Sequence, residues 1–103
     1  MGAAVATDLN TASVKREIED RVLQEWAELA TAWGVSPVLG RIHGLLLLGG
    51  QPMTAEEICD RLQISRASAS VQLNAILDWG LARRIFVPGD RRQYYQADAD
   101  HWS

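Results

Sequence analysis

The sequence predicts a mainly α-helical fold with a small β-hairpin, a winged helix-turn-helix, and three observations predict it. Thr54 to Gly80 (TAEEICDRLQISRASASVQLNAILDWG) has the pattern of two helices joined by a tight turn. After Gly80 the hydrophobic period changes from helical to alternating. Pro88-Gly89-Asp90-Arg91 then supplies turn chemistry between two short alternating runs, so a hairpin follows the helix pair directly.

In chain order, residues 1–12 are small and polar and are expected to form a disordered tail. From Ser13 the apolar residues Val14, Ile18, Val22, Trp26, Leu29 and Trp33 recur every three or four positions, the stripe of an amphipathic helix over residues 13–34. Charged side chains fill its other faces and Gly34 ends it. The stripe is long for a domain this small, so part of it is expected to pack on the body and part on a second copy. Ser36-Pro37 opens a second helix, with Ser as cap and Pro at the first helical position, and Gly49-Gly50 closes it. Gly40 and Gly44 make one smooth face that another helix can approach closely. Each costs about 1 kcal/mol against alanine in a helix interior, which implies a packing reason.

Residues 36–97 form the winged helix-turn-helix proper. Thr54 caps its first helix, and Glu57 three residues on completes a capping box. Ala55, Ile58 and Leu62 share one face, and Gln63-Ile64 makes the corner. Ser65 caps the recognition helix, residues 66–79, whose buried face is Ala69, Leu73, Ile76 and Leu77 and which Gly80 stops. The outer face, Arg66, Ala67, Ser70, Val71 and Asn74, is short-chained and almost free of negative charge, suited to lie against something polar and close. In the wing, residues 81–97, Leu81, Arg83, Ile85 and Val87 point one way and Ala82, Arg84 and Phe86 the other. Trp79 is expected to pack under the wing.

The chain has 103 residues and 48% hydrophobic content, enough for one small folded domain. Its single cysteine, Cys59, excludes a disulfide framework and a cysteine-rich zinc site, and its place on a helix suits a small buried side chain better than a redox sensor. The start, MGAAVATDLNTAS, lacks the features of a signal peptide, and the apolar run Ile42 to Leu48 is far shorter than the ~20 residues that span a bilayer. A cytoplasmic protein without membrane contact is expected. Net charge is −3, yet residues 61–97 carry six arginines (61, 66, 83, 84, 91, 92) against Asp78 and Asp90. An acidic chain that gathers its positive charge around one helix and one hairpin has a directed electrostatic face. No Ser/His/Asp arrangement, phosphate loop or metal spacing is visible, so neither an enzyme nor a cofactor is expected.

WGVSPVLGRIHGLLLL, MTAEEICDRLQISRASASVQLNAILDWGLARR and PGDRRQYYQAD together resemble MarR-type winged-helix regulators, most nearly the GbsR branch. The resemblance runs from Trp33 to Asp98 and rests on the G-R-I-x-G-L-L run, the I-S-x-x-S-x-S helix start and the G-D-R-x-x-Y-Y wing. It implies a dimeric transcription regulator, and the GbsR branch implies osmoprotectant genes and choline-type effectors. Residues 98–103 fall where the family's C-terminal helix begins, so the chain is expected to be either truncated or a minimal member.

On this reading the N-terminal half of the recognition helix enters the major groove of double-stranded DNA. Arg66 meets guanine or a phosphate, Ser65, Ser68 and Ser70 meet phosphates or base edges, Val71 a thymine methyl, and Asn74 adenine or a phosphate. Thr54 meets the DNA backbone. Arg91 at the wing tip enters the minor groove, Arg92 holds phosphate or pairs with Asp90, and Arg84 is the strand arginine that faces the phosphates. Arg41 and Arg61 are expected to be surface charges. Val14, Ile18, Val22, Trp26, Leu29 and Trp33 serve packing and a homodimer contact. Trp26, Trp33, Trp79 and Trp102 admit a cage for a quaternary-ammonium effector, but core or dimer packing is the stronger expectation. His43 is expected at a packed interface and His101 in a frayed tail. The alternative function is a winged-helix module that binds protein rather than DNA.

Overall fold

The computed structural model describes the backbone of residues 2–98 and the side chains of residues 11–98. Four helices and three short strands follow in the order α1 (Gly2–Ala32), α2 (Pro37–Gly49), β1 (Met53–Thr54), α3 (Ala55–Leu62), α4 (Arg66–Asp78), β2 (Ala82–Ile85) and β3 (Tyr94–Ala97). The mainly helical winged helix-turn-helix is therefore the observed fold. Helix α1 begins at Gly2, not at Ser13 as the apolar stripe suggested. Residues 2–12 have no stripe but contain Ala3, Ala4, Ala6 and Ala12, and alanine favours helix without any buried face. The expected C-terminal helix start, with His101 and Trp102, lies outside the described residues.

The caps form where the side-chain chemistry requires. Ser36 Oγ accepts from the Val38 N–H at 3.2 Å ahead of Pro37, and Gly50, at φ +65°, turns the end of α2 so that its N–H reaches Leu46 O. Thr54 Oγ1 accepts from the Glu57 N–H at 3.1 Å while Glu57 Oε1 accepts from the Thr54 N–H at 3.0 Å, a complete capping box. Ser65 Oγ accepts from the Ser68 N–H at 3.1 Å. The corner between α3 and α4 is made by Gln63 at φ +57°, the one non-glycine in the left-handed region among the described residues, and its side-chain amide donates to Asp60 O.

One apolar core joins the elements: Ile42 and Leu46 of α2, Ile58 and Leu62 of α3, Ala69, Leu73 and Ile76 of α4, with Ala82 and Tyr95 from the sheet. Ala69 is completely buried, as its small size requires where α4 crosses its neighbours. Cys59 is buried too, with its thiol directed at Ser65 O at 3.7 Å. The sheet is antiparallel with three strands in the order β1-β3-β2, one more than the expected hairpin. Met53 pairs with Tyr95 and Thr54 with Tyr94, a bridge too short to show any alternation in sequence.

Helix α1 packs along α2, but not on the face its large residues mark. Its buried anchors are Leu23 and Ala27; Val22 and Trp26 are half-buried, whereas Val14, Ile18, Leu29 and Trp33 are exposed. The reason is the glycine face of α2. A Cβ at Gly40 would stand 2.7 Å from Ala30 Cβ and 2.9 Å from Trp26 O, and one at Gly44 would stand 3.1 Å from Leu23. So close a crossing places Ala27 and Ala30 opposite Gly40, with Leu23 and Trp26 packed against Gly44. Arg41 and Arg61 are also not plain surface charges: Arg41 Nη2 donates to Leu62 O at 2.9 Å, and Arg61 pairs with Asp20 at 2.8 Å and more loosely with Glu19. They tie α3 to α2 and α1.

Two glycines separate packing from propensity. Gly40→Ala gains about 1 kcal/mol of helix propensity but overpacks a backbone contact, which costs about 1–3 kcal/mol; a lower urea midpoint is expected. Gly49→Ala meets nothing within 4 Å and should raise the midpoint. Burial lowers the pKa of His43, and its Nδ1 accepts from the Trp26 indole N–H at 3.4 Å, so the folded state favours the neutral ring. The unfolded chain then binds the extra proton first, and the contribution is present above about pH 6.5 and lost progressively below it. Urea midpoints compared at neutral and mildly acidic pH for wild type and His43→Gln check this; equal pH slopes would remove His43 as the cause.

Candidate nucleic-acid interface

Two elements bring the cationic side chains together. Arg66 is the first residue of α4 and is exposed, held at that end by the Ser65 cap. Across from it runs the arm that leads into β3. Thr54, Ala55, Glu56, Gln93 and Tyr95, together with Arg66, Arg91 and Arg92, line a cleft of about 400 Å³. The helix tip and the wing thus share one concave surface.

Hydrogen bonds brace the wing at its tip. The Asp90 N–H donates to Val87 O at 3.0 Å and closes a turn through Pro88 and Gly89, the latter at φ +82°. Asp90 then takes the centre of a network. The Arg92 backbone N–H and Nε donate to Asp90 Oδ1, Arg92 Nη2 donates to Oδ2 at 2.9 Å and to Tyr94 Oη at 2.8 Å, and Tyr94 Oη donates to Oδ2 at 2.7 Å. The Arg92 guanidinium also lies 5.5 Å from the centre of the Tyr94 ring. Arg92 therefore takes the second of its two expected roles, pairing with Asp90. Arg91, its neighbour, is exposed and forms no hydrogen bond or ion pair among the described residues.

Strand register separates the two β2 arginines. Arg84 pairs with Tyr95 and Arg83 with Gln96, and directly opposed residues of an antiparallel pair share a face. Arg84 thus stands on the face of Tyr95, which lines the cleft, and Arg83 on the other. On α4, Ser70, Val71 and Asn74 are exposed, with Val71 63% accessible; Ser68 is half-buried and Ser65 Oγ is engaged in its cap. Thr54 departs from expectation. It is only 4% exposed, and its hydroxyl accepts the capping bond, because it joins β1 to α3 within the core. Gln93 lies in the cleft and escaped the sequence reading, which had no signal for it; its Oε1 accepts from Tyr95 Oη at 3.1 Å.

Away from this surface, Trp79 is 60% exposed instead of packed under the wing, because it caps α4 where the chain turns out through Gly80. With Trp26, Leu29, Trp33 and Leu81 it borders an apolar depression of about 270 Å³. Among the described residues no three His, Cys, Asp or Glu side chains gather where a metal ion could be held, and no helix is long and apolar enough to cross a membrane.

The sequence profile of the MarR family matches residues 33–93. YvaV of Bacillus subtilis (strain 168) is 26% identical over 90 residues, 87% of this chain and 51% of its own length. The HTH-type transcriptional repressor GbsR of the same organism is 25% identical over 84 residues, 82% of this chain and 46% of its own length. The chain thus spans about half the length of these relatives. Among solved structures, a Staphylococcus aureus MepR mutant bound to an oligodeoxyribonucleotide superposes with a TM-score of 0.65 at 19% identity, over 89% of this chain and 68% of that one.

The wing network has a defined pH signature. Hydrogen bonds from Arg92 and Tyr94 hold the Asp90 carboxyl well below the usual carboxylate range, and the bond to Asp90 holds the Tyr94 phenol above its ordinary value. Since the folded value of Asp90 is depressed, the contribution is complete above the ordinary aspartate value of about 3.9 and disappears only in stronger acid. A carboxyl NMR titration of the folded protein should show no Asp90 step near that value. An ordinary step there would mean that the network does not persist in solution.

Proposed function

The chain belongs to the MarR family, and from that premise we propose that it is a sequence-specific double-stranded-DNA-binding transcription regulator that acts as a homodimer. The curated relatives are named as regulators, not as enzymes. The observation that carries the proposal is the shared cleft: Arg66 at the start of α4 and Arg91 at the wing tip face one concavity, with Arg84 on the bordering sheet face. That arrangement suits a helix in the major groove and a hairpin at the neighbouring minor groove. The name of GbsR and the oligodeoxyribonucleotide on MepR support the same reading.

The roles follow from exposure and chemistry. Arg66, with Ser70, Val71 and Asn74 along the exposed face of α4, meets base edges and nearby phosphates; Ser65 and Ser68 stand at the cap and contribute at the backbone. Arg91 enters the minor groove, Arg84 meets phosphate, and Arg92 braces the wing tip and presents its outer edge to the backbone. Thr54, expected to meet the DNA backbone, is only 4% exposed and acts from behind the contact surface by capping α3. The exposed apolar residues Val14, Ile18, Leu29 and Trp33 of α1 support a contact between two copies. A two-fold dimer places its recognition helices about one helical turn, ~34 Å, apart.

Duplex binding measured across a salt series separates the two arginines. Arg91→Ala should weaken binding to every sequence and flatten the log–log salt slope by about 0.9 for one lost phosphate contact. Arg66→Ala should narrow the gap between preferred and random DNA by about 1–3 kcal/mol. Salt-independent binding, or none with a confirmed dimer, would favour the protein-binding alternative instead.

A further inference from the structure

The wing holds one side chain that neither the core nor the arginine cluster explains. Phe86 is 83% exposed, more than any other large apolar side chain described, and is the chain's single phenylalanine. It sits on a built support. Strand β2 ends just before it at Ile85, the Val87–Asp90 turn follows directly, and the Asp90–Arg92–Tyr94 network fixes the returning arm. A ring presented this way loses little further freedom when it meets a partner.

Its surroundings specify the partner's chemistry. Arg84 precedes it by two residues at the end of β2, and the Val87–Asp90 turn leads from it directly to the exposed Arg91, which lines the cleft with Arg66. The matching surface is anionic at its rim and flat and apolar within. Duplex DNA has that form, with phosphates along the groove edges and sugars and stacked bases inside. We propose that Phe86 is an apolar wedge that enters the minor groove beside Arg91, packs on deoxyribose and opens a base step. Apolar wedges of this kind bend the duplex toward the major groove, where α4 would lie. Pyrimidine–purine steps open most easily, so the wedge would add sequence preference at a position α4 does not touch. This rests on the DNA-binding reading above and deepens it.

Because Phe86 is unique, the full chain labelled with 4-fluorophenylalanine has a single fluorine resonance. On saturation with a random-sequence duplex that resonance should shift, and more so with duplexes rich in TA steps. Phe86→Ala should weaken duplex binding roughly tenfold without changing the salt slope, since no charge is lost, and Phe86→Leu should restore most of the affinity. The residue is exposed, so an unchanged urea midpoint is expected for both variants. If wild type binds duplex and Arg91→Ala weakens it, but the fluorine resonance and the Phe86→Ala affinity do not move, the wedge is wrong and the DNA-binding reading stands. If Phe86→Ala reduces only self-association in sedimentation, the ring is a protein contact and the wedge is again wrong. Absence of duplex binding by the wild type overturns both.

Discussion

Thr54 is the joint on which the geometry of this domain depends. Its backbone pairs with Tyr94 in the central strand, while its hydroxyl and amide exchange hydrogen bonds with Glu57 at the start of α3. A buried hydroxyl that left the Glu57 N–H unpaired would be costly, so both partners are held in place. The sheet therefore cannot rotate against the helix-turn-helix without breaking the cap. Since Tyr94 also anchors Asp90 and Arg92, this joint helps to position the wing tip relative to α4, together with Ala82 and Tyr95, which the sheet places in the core.

The arginines divide into two kinds of work. Arg41 satisfies a carbonyl at the end of α3, Arg61 pairs with acidic residues of α1, and Arg92 is bound into the wing. These hold elements at fixed distances. Arg66, Arg84 and Arg91 remain directed outward on the cleft side. An overall charge of −3 is thus compatible with a cationic cleft, because most of the acidic residues lie elsewhere in the chain and, of the described ones, only Glu56 lines it beside Arg66, Arg91 and Arg92.

Much of this was legible in the residues. The Thr54–Glu57 box, the Ser36-Pro37 start, the Ser65 cap and the Pro88-Gly89 turn are local chemistry that needs only a few neighbouring side chains. The close approach at Gly40 and Gly44 was also legible, since paired glycines in a helix have few other uses. Less legible was which face of α1 meets them. The large residues of α1 form a stripe, but the contact accepts Ala27 and Leu23, and ranking by apolar size passes over alanine. The strand at Met53–Thr54 was hidden for a different reason: two residues cannot show a period.

By itself the sequence determined the order and type of the elements other than β1, the caps, the turn and the concentration of arginines in the second half. Those depend on interactions between residues close along the chain. Only the tertiary structure decided that Thr54 is buried, that Trp79 is exposed, that Arg61 is committed to Asp20, and that Arg66 and Arg91 share a cleft. The difference is physical. Exposure, and the choice between a solvent-facing and a paired charge, depend on which distant surfaces meet, and pairs such as Arg61 with Asp20 and Thr54 with Tyr94 join segments far apart in the chain.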